Sequence, residues 1–586
     1  MAGAGLGRER PRGLKSYAGR RLAEPRHFCD LCWNYRGLWL SPEGREAGQT
    51  RGRQDRGREE DMKRSHLRGF AGAFAAAIIS IALPAAAQDL TIGLGANVTS
   101  IDPHFHNLSP NSNVATHFFD KLIDQDEQQK LMPGLATEWK ALDNTTWEFK
   151  LRRGVKFHDG SDFTADDVVA TLKRVPWVPN SPSSFRIYTQ AITAHEIVDP
   201  YTIRFKTAAP YPLLPTDLST VFIVSKKNEQ APTGDFNNGK AAIGTGPFKF
   251  VEYVPGDRIV GQRNDAYWGK KPDWAKVTLK LITNNSARVA ALLAGDVQLI
   301  EAVPATDYTR LKSNANIAIS QIVGNRVIYL HVDSFRDQTP FATDKAGAVL
   351  PNNPLKDARV RRALSKAINR PAISERIMEG LAIPAGGVLA EGFFGSSPKL
   401  KPDAMDPEGA KKLLTEAGYP NGFGLTIHGP NDRYPNDEKV LQAVGPMFNR
   451  IGIDTKVVTL PWATFASQGS APNYAYSLML VGWGAGTGEA SSPLRSLLMT
   501  VGPGRGGSNR GRYSNPKMDE LTNQALATVD DAKRDKLLQE ATEVAMADVG
   551  LIPLHYQINV WATRKGLTYK PRADEYTLAM SVSRSN

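Results

Sequence analysis

The sequence predicts a mixed α/β fold with two or more packed lobes. The chain has 586 residues, which exceeds the size at which a single hydrophobic core usually stops growing. Segments 147–151 and 201–205 alternate apolar and polar residues, as half-buried strands do. After Asp357 the apolar period becomes helical, and strand-like segments intervene between the helices. This alternation is typical of α/β proteins.

Composition and charge exclude several classes of protein. Hydrophobic residues make up 41% and charged residues 23% of the chain, which excludes a disordered chain and a multi-span membrane protein. Much of the formal net charge of +12 lies before residue 88, in an arginine-rich stretch. The remainder shows no basic stripe and no nucleic-acid-binding module, so we expect no nucleic-acid partner.

Residues 62–87 have the three parts of a cleavable secretion signal. Three basic residues near its start are followed by an apolar stretch at 70–83 and by the alanines 85–87, which provide a cleavage site. The apolar stretch is shorter than the roughly 20 residues that a bilayer-spanning helix needs. No cysteine follows the cleavage site. We therefore expect the mature protein to be free in the periplasm and not lipid-anchored.

Residues 1–61 precede this signal, although a secretion signal works only near the start of a chain. We interpret them as a non-native or disordered upstream extension, with Met62 as the true start. Cys29 and Cys32 form a C-x-x-C motif there, but a zinc site needs two more ligands and no matching pair follows. These are the only two cysteines of the chain. The mature protein is therefore expected to rely on core burial without disulfides.

Local signals place the other elements. An alternating run at 90–94 predicts a first strand, and a turn signal follows it. Thr164 with Asp166 and Asp167 predicts a helix start, at which the two carboxylates stabilise the helix N terminus and do not form a catalytic pair. Further predicted elements are helices at 407–417 and 438–450 and strands at 425–428 and 454–459.

The helix that follows Asp357 has an apolar stripe and a basic side. The apolar stripe consists of Val360, Ala363, Leu364, Ala367 and Ile368. The basic side consists of Arg359, Arg361, Arg362 and Lys366. Because these four fall largely off the stripe, we expect a solvated helix surface and not a binding patch.

Five sequence blocks, taken in order, resemble one known family. They are 133–139 (PGLATEW), 149–160 (FKLRRGVKFHDG), 244–248 (GTGPF), 355–364 (LKDARVRRAL) and 412–420 (KLLTEAGYP). In these blocks the chain resembles the large periplasmic solute-binding proteins of family 5, which serve ABC importers of dipeptides, oligopeptides, nickel and glutathione. The resemblance extends over nearly the whole mature chain.

The resemblance implies a two-lobed clamp that closes on its ligand, with an extra subdomain in the first lobe. The expected boundaries are 88–326 for lobe I with the inserted subdomain, 327–550 for lobe II and 551–586 for the return to lobe I. The chain would cross between lobes near 324–332 and return near 551–561. Closure of such a hinge excludes water and lets a transporter recognise the loaded form.

The resemblance also implies a carboxylate-binding arginine, Arg433. It lies in the polar segment 431–436 beside Tyr434, at the position where peptide-binding relatives place an arginine on the ligand carboxylate. A guanidinium suits this task because it makes two parallel charge-assisted bonds and stays charged when buried. We expect Arg433 and Tyr434 to contact the ligand, and the alternative is an exposed loop arginine.

Trp483 follows an apolar run and stands between two glycines at a predicted strand end, where α/β clefts bind ligands. The alternative is a tryptophan that packs in the core.

Peptide-binding relatives carry an aspartate three residues after this tryptophan, whereas this chain has Gly486. The following segment resembles that of glutathione-binding members. There we expect Glu489 to supply an anion for a ligand ammonium group and Arg495 to supply a second carboxylate contact, with surface charges as the alternative.

The loop at 98–102, with Thr99 and Ser100, is expected from the resemblance to line the cleft through its backbone. His104 and His106 alternate along the chain and could place two imidazoles on one side of a strand, which raises nickel binding as an alternative. Two histidines without further ligands at suitable spacing form an incomplete site. We therefore expect no metal site and no cofactor.

These observations predict the substrate-binding component of an ABC importer. It would act as a monomer that captures a short peptide, glutathione or a similar conjugate in the periplasm and delivers it to an inner-membrane permease. No G-x-S-x-G, H-E-x-x-H or phosphate-binding glycine loop is present, so we expect neither an enzyme nor catalytic residues. The alternatives left open are a metal chelate, an opine or a sugar as ligand, and a periplasmic sensor or chaperone.

Overall fold

A computed structural model describes residues 89–585 of the chain. The predicted upstream extension at 1–61 and the signal peptide at 62–87 lie outside the described residues. The strands of the described part are β1 Leu90–Leu94, β2 Ile123–Gln125, β3 Leu131–Pro133, β4 Ala136–Asp143, β5 Thr146–Leu151, β6 Ile192–Asp199, β7 Thr202–Thr207, β8 Phe248–Val254, β9 Arg258–Arg263, β10 Lys276–Leu281, β11 Leu299–Ile300, β12 Ile317–Val332, β13 Ala342–Thr343, β14 Ala382–Pro384, β15 Gly424–Pro430, β16 Asp454–Leu460, β17 Leu478–Gly484, β18 Ile552–Arg564, β19 Leu567–Tyr569 and β20 Val582–Arg584.

The α-helices of the same part are α1 Ser109–Ala115, α2 Ala165–Arg174, α3 Leu214–Leu218, α4 Thr233–Asn237, α5 Asn285–Ala294, α6 Ala305–Lys312, α7 Ala358–Ala367, α8 Arg370–Ala372, α9 Pro407–Glu416, α10 Asp437–Asn449, α11 Trp462–Gly469, α12 Ser491–Pro493, α13 Pro516–Leu526 and α14 Asp531–Ala547. Short 3-10 helices lie at Val175–Trp177, Phe185–Tyr188, Lys226–Asn228, Pro354–Lys356 and Ala579–Ser581, and π-helical turns lie at Ile373–Ile377 and Leu494–Leu498. The predicted helices and strands named above are all present, each within a few residues of its expected bounds. The mixed α/β class is confirmed.

Twelve strands form the largest sheet. Ten of them follow the order β13-β15-β17-β12-β18-β11-β1-β10-β9-β8, while β14 pairs with β18 and β16 pairs with β15. β1 is parallel to β10 and β11, and β15 is parallel to β16 and β17. The sheet is therefore mixed, with a parallel group of strands on each side of an antiparallel centre.

The antiparallel centre consists of β12 and β18, which have 16 and 13 residues. At roughly 3.3 Å per residue, β12 extends over about 50 Å. Its first half pairs with the last seven residues of β18, and its second half pairs with β17 on the other edge. The predicted crossing segments, 324–332 and 551–561, fall largely within these two strands. The lobe boundaries themselves stay predictions.

Alternate residues of β12 enter two different hydrophobic cores. Ile328 and Leu330 belong to a core that includes helices α7 and α10, whereas Val327 and Tyr329 belong to a core that includes α13 and α14. A strand buried on both faces in this way needs apolar residues at successive positions. This requirement explains why the sequence shows a continuous apolar run where the strand lies in the centre of the molecule.

A second, four-stranded antiparallel sheet has the order β4-β5-β7-β6 and its own core. Phe149 of β5 and Phe205 of β7 pack with ring centroids 5.3 Å apart. Helix α2 begins as predicted, because the Asp167 carboxylate accepts a hydrogen bond from the backbone N–H of Thr164 at 2.9 Å. At the other end of α2, Arg174 forms a fully buried ion pair with Asp102 at 2.6 Å. This unit is the extra subdomain, and the ion pair attaches it to the loop after β1.

The basic side of α7 is only in part the solvated surface that the sequence predicted, because Arg359 is exposed and Arg361 is not. Arg361 is only 4% exposed, and its guanidinium donates to the backbone oxygens of Val549, Leu355 and Lys356 and to Asp548. Arg362 pairs with Asp403 at 3.0 Å. The prediction for Arg361 was wrong because the distant segment at Asp548 and Val549 covers this side of the helix, and the carbonyl groups just before the helix complete the contacts. Within residues 89–585, no helix has the length and apolar character that crossing a membrane requires.

Replacing Arg361 tests this buried anchor. We expect Arg361→Ala to lower the free energy of unfolding by about 3–5 kcal/mol, because the substitution leaves several buried carbonyl groups without a donor. Arg359→Ala, on the exposed side of the same helix, should cost about 0.5 kcal/mol. Urea denaturation of both variants measures the difference. Equal midpoints for the two variants would contradict the assignment.

Candidate functional site

The centre of the candidate site is an interruption in the pairing of β12 with β18. Val323 pairs with Ile558 and Val327 pairs with Tyr556, so three residues of β12 face a single residue of β18. Such a bulge turns side chains out of the ladder. A Cβ on Gly324 would lie 2.8 Å from the side-chain amide of Asn559, so a larger residue there would force that side chain to move.

Asn325 and Arg326 are the two side chains that this bulge directs away from the sheet. Asn325 donates to the side chain of Gln129 at 2.9 Å and to the backbone oxygen of Ala485 at 3.1 Å. Arg326 holds Glu575 through two hydrogen bonds of 2.7 and 2.8 Å. The segments that contain Gln129, Ala485 and Glu575 therefore meet at the bulge, and this meeting point is called the junction below.

Arg433 lies beside this junction. Its guanidinium stands 5.3 Å from the ring centroid of Tyr434 and 5.6 Å from that of Trp462, which is the geometry of cation–π contacts. Burial acts to raise the pKa of the Glu575 carboxyl, but Arg326 and Arg433 outweigh it and hold that pKa below its ordinary value. Arg433 is exposed and forms no ion pair with any residue that the structure describes. Tyr434 is buried, and its hydroxyl donates to the Gly482 carbonyl at 3.2 Å.

Trp483 is the second-to-last residue of β17 and pairs with Val327, the residue that follows the bulge. It is half-buried, and its indole N–H donates to Ser492 at 3.3 Å. The turn that follows is fastened by Gln129, whose amide donates to the backbone oxygen of Gly486 at 3.0 Å. Thr487 in the same turn has a buried hydroxyl without a hydrogen-bond partner in the described part of the chain. Trp483 thus combines a packing role with a position on the junction.

Glu489 has a different environment from the one expected of a free ligand contact. It is 4% exposed, and its carboxylate accepts from Arg534 at 2.7 Å and from the hydroxyl of Ser491. The Arg534 guanidinium also stacks over the ring of Phe394, 4.3 Å from its centroid. An anion that is already neutralised in this way is poorly suited to bind a ligand ammonium group.

Arg495 faces a group that the sequence did not reveal. Its charge acts on Tyr211 and Asp217, which belong to the segment around α3. Asp217 is 3% exposed, and its carboxylate accepts one hydrogen bond, from the Tyr211 hydroxyl at 2.5 Å. Burial raises the pKa of Asp217 to about 7, while Tyr211 and Arg495 act to lower it. No local pattern marks Asp217, because α3 is a five-residue helix whose other members are ordinary core residues.

The loop after β1 is held by side chains of its own neighbourhood. Ser100 is buried and its hydroxyl donates to the amide oxygen of Asn237 at the end of α4, at 2.8 Å, so its side chain fastens the loop to that helix. Thr99 is exposed, and its hydroxyl lies 3.1 Å from the ring nitrogen Nδ1 of His106 and 3.0 Å from Asn111. The structure therefore leaves Thr99, and not the side chain of Ser100, open to solvent.

The two histidines do not form the pair that the sequence suggested. His104 lies in a turn, and His106 forms only an isolated bridge with Ser183, so the two do not share a strand. His104 is fully buried between the carbonyl of Phe222 and the guanidinium of Arg174, at 2.7 and 2.9 Å. Burial and then the charge of Arg174 lower the pKa of His104 to about 4. Among the described residues, no group of three or more His, Cys, Asp or Glu side chains is arranged to hold a metal ion.

Comparison with known proteins identifies the family. The profile of bacterial extracellular solute-binding proteins, family 5 (middle region), matches residues 130–504. The chain belongs to this family. The glutathione-binding protein GsiB of Shigella flexneri serotype 5b is 30% identical to it over 495 residues, which cover 82% of this chain and 92% of that protein. The chain is thus a solute-binding protein of the kind that serves ABC importers of peptides or similar solutes.

Solved structures of family 5 proteins have the same two-lobed fold. The periplasmic binding protein DppA of Helicobacter pylori, in complex with the peptide STSA, superposes with a TM-score of 0.70 at 24% identity and covers 85% of this chain and 98% of its own. AgaA of A. tumefaciens R10, in complex with agropinic acid, superposes with a TM-score of 0.68 at 25% identity and covers 85% and 99%. The two-lobed clamp with an extra subdomain is confirmed.

The charge state of Asp217 makes stability depend on pH. Because the pKa is about 7 in the folded protein and near 3.8 when unfolded, ionisation disfavours the folded state as pH rises through this interval, and the loss is complete above about pH 7. We expect Asp217→Asn to raise the free energy of unfolding by roughly 2–4 kcal/mol at pH 8 and to change it little at pH 4. Urea midpoints at both pH values measure this.

The matched control for this experiment is Asp166→Asn, because Asp166 is an exposed aspartate of the same subdomain. It should change stability by less than about 0.5 kcal/mol at either pH. A loss of stability in Asp217→Asn at pH 8 would show that the Asp217 carboxylate is stabilised inside the ligand-free protein.

Glu489→Gln tests the internal role of that carboxylate. It should lower the free energy of unfolding by about 3 kcal/mol, because it leaves the buried Arg534 guanidinium without its main counter-charge. Glu520→Gln, in an exposed pair with Lys517, is the control and should cost about 0.5 kcal/mol. Thermal unfolding curves compare the two variants. Equal Tm values would show that Glu489 does not stabilise the fold, and it would then remain a candidate ligand contact.

Proposed function

We propose that the protein captures a small peptide-like solute that carries a free carboxylate, holds it in the periplasm and delivers it to an ABC permease in the inner membrane. The observation that carries the proposal is Arg433: an exposed guanidinium, positioned by two aromatic rings at the junction of the segments and left without an ion pair among the described residues. Leaving an oriented arginine unpaired suits an anionic ligand group.

The proposed hinge is the segment around the bulge of β12 together with the facing part of β18. Closure about this hinge would bring Arg433 and Trp483 onto the ligand from lobe II, and the loop with Thr99 from lobe I. Support comes from the irregular pairing between Val323 and Val327, because an interrupted ladder resists bending less than a regular one. The boundaries 88–326, 327–550 and 551–586 belong to this proposal.

Two of the compared proteins support a peptide-like ligand. The relative GsiB is named for glutathione binding, and DppA is described with a bound peptide. Gly486 does not offer the carboxylate that an ordinary dipeptide amine would need. A conjugate such as glutathione, or an opine like the agropinic acid bound by AgaA, is therefore preferred to a simple dipeptide.

Binding measurements with an arginine variant test the proposal. The purified protein is screened by thermal shift against dipeptides, tripeptides, glutathione, opines, sugars and Ni²⁺, since a ligand that binds only the folded state raises Tm. We expect a shift with glutathione or a related peptide. Titration calorimetry should then show at least about 30-fold weaker binding in Arg433→Ala, because a charge-assisted pair is lost.

Arg512→Ala is the matched control. Arg512 also stacks on two aromatic rings, those of Phe335 and Tyr474, but the adjacent Gly511 contacts Val332 at the far end of β12. At about 3.3 Å per residue this is roughly 20 Å from Arg326. The Arg512→Ala variant should bind the ligand with the same affinity as the unchanged protein. A response to Ni²⁺ or a neutral sugar that Arg433→Ala leaves intact would overturn the proposed ligand class.

A further inference from the structure

Asp217 is buried and Arg495 is half-buried, and the two side chains form no ion pair in the part of the chain that the structure describes. Asp217 is on the short helix α3 and Arg495 is on the π-helical turn at Leu494–Leu498, more than 270 positions later in the chain. Gln125 joins the two regions, because its side-chain amide donates to the hydroxyl of Ser219 just after α3 at 2.9 Å and to the backbone oxygen of Gly486 at 3.5 Å, and the charges of Asp217 and Arg495 act on each other. Tyr211 and Tyr188 are the other two groups that act on Arg495.

The charge of Asp217 is not neutralised by a contacting cation, and Arg495 has no ion-pair partner within the described residues. The Asp217 carboxylate has a single donor, the Tyr211 hydroxyl, although an ionised carboxylate offers about four acceptor positions. Glu489, another acid whose charge acts on Asp217, is paired with Arg534. By contrast, the buried carboxylate of Asp102 has Arg174 in direct contact, and that of Asp167 accepts backbone N–H groups at two positions. A buried charge that lacks such a partner lowers the stability of the folded protein unless a bound molecule provides the partner.

A solute that supplied both missing partners would need an ammonium group and a carboxylate side by side. The ammonium group would lie on Asp217 and the carboxylate on Arg495. These two groups on one carbon atom are the α-amino-acid head group. An ordinary α-linked peptide has no such head group, because its terminal ammonium and terminal carboxylate lie at opposite ends. A peptide joined through a side-chain carboxyl group keeps the head group intact.

We propose that Asp217 and Arg495 form a subsite for a free α-amino-acid head group, so that the protein selects peptides joined through a side-chain carboxyl group over α-linked peptides. The inference rests on the proposed function, in which Arg433 binds a second, remote carboxylate of the same solute. Asp217 takes the place of the aspartate that position 486 lacks. The unpartnered hydroxyl of Thr487 lies in the turn just before Glu489 and adds a polar group to this region.

Calorimetry with four ligands tests the subsite. The ligands are glutathione, its α-linked isomer Glu-Cys-Gly, N-acetylglutathione and the glutathione derivative whose glutamyl α-carboxylate is an amide. The unchanged protein should bind glutathione at least about 30-fold more tightly than each of the other three. In Asp217→Asn, glutathione should weaken to the level of the N-acetyl compound, which itself should not weaken further. In Arg495→Gln, the α-amide should be the ligand that is unaffected.

Proton release gives a second measurement that a structural role would not produce. Because burial raises the pKa of Asp217 to about 7, an ammonium ligand that binds the ionised form should displace a proton at pH 6.5. Calorimetry in two buffers of different ionisation heat should detect this release in the unchanged protein and not in Asp217→Asn. Glu489, Arg495, Tyr211 and Tyr188 are the other titratable or charged groups that act with Asp217. Asp166→Asn is the control and should retain the release.

The outcomes separate the subsite from the proposed function. Equal affinity for glutathione and N-acetylglutathione, or an unchanged affinity in a folded Asp217→Asn variant, would overturn the subsite while the loss of binding in Arg433→Ala still supported the proposed function. Equal weakening of all four ligands in Asp217→Asn would show that Asp217 and Arg495 serve only as a closure contact. Absence of binding to every peptide-like ligand would overturn both. Urea midpoints confirm that each variant is folded.

Discussion

The pairing of β12 with β18, and its interruption at Gly324–Arg326, is the constraint on which the rest of the structure depends. A regular ladder between two long strands would join the halves of the sheet rigidly and direct side chains only to its two faces. The bulge instead frees Asn325 and Arg326 to bind the turn after β17 and Glu575. Arg433 and Trp483 lie beside this junction, so a local departure from regular pairing brings candidate ligand residues together.

The distribution of buried charge distinguishes structural positions from candidate ligand positions. Arg361, Arg370 and Arg174 are buried, but each donates to backbone carbonyls or to a contacting carboxylate, and such pairing is what allows a charge to remain in the interior. Asp217 and Arg495 lack this compensation. A protein that binds a charged solute must keep some of its own charges unpaired until the solute arrives, at a cost in stability of the free form. In the proposed subsite, these two charges are the ones that the solute would complete.

Sequence periodicity located the elements because it depends only on neighbours in the chain. The runs that became β1, β5, β7, β15 and β16 alternate or lie between turn signals, and α2, α9 and α10 carry recognisable starts and stops. The same reasoning failed for Arg361. It placed that arginine off the apolar stripe of α7, but the carbonyls of residues 548 and 549, nearly 190 positions later, cover it. The suggestion that His104 and His106 share one side of a strand failed for a similar reason, because His104 is buried in a turn against the guanidinium of Arg174.

The sequence by itself determined the α/β class and the family blocks, since these follow from local periodicity and from motifs in order, and the resemblance to the family then pointed to Arg433, Trp483 and Arg495 as candidates. Only the tertiary structure decided how the charges are paired. Glu489 and Asp217 are both acids near Arg495, and nothing local separates them. Arg534, brought in by α14, neutralises Glu489, whereas no cation contacts Asp217 within the described residues. Whether a carboxylate is free depends on which side chains meet in three dimensions, and that is a property of contacts between residues far apart in the chain.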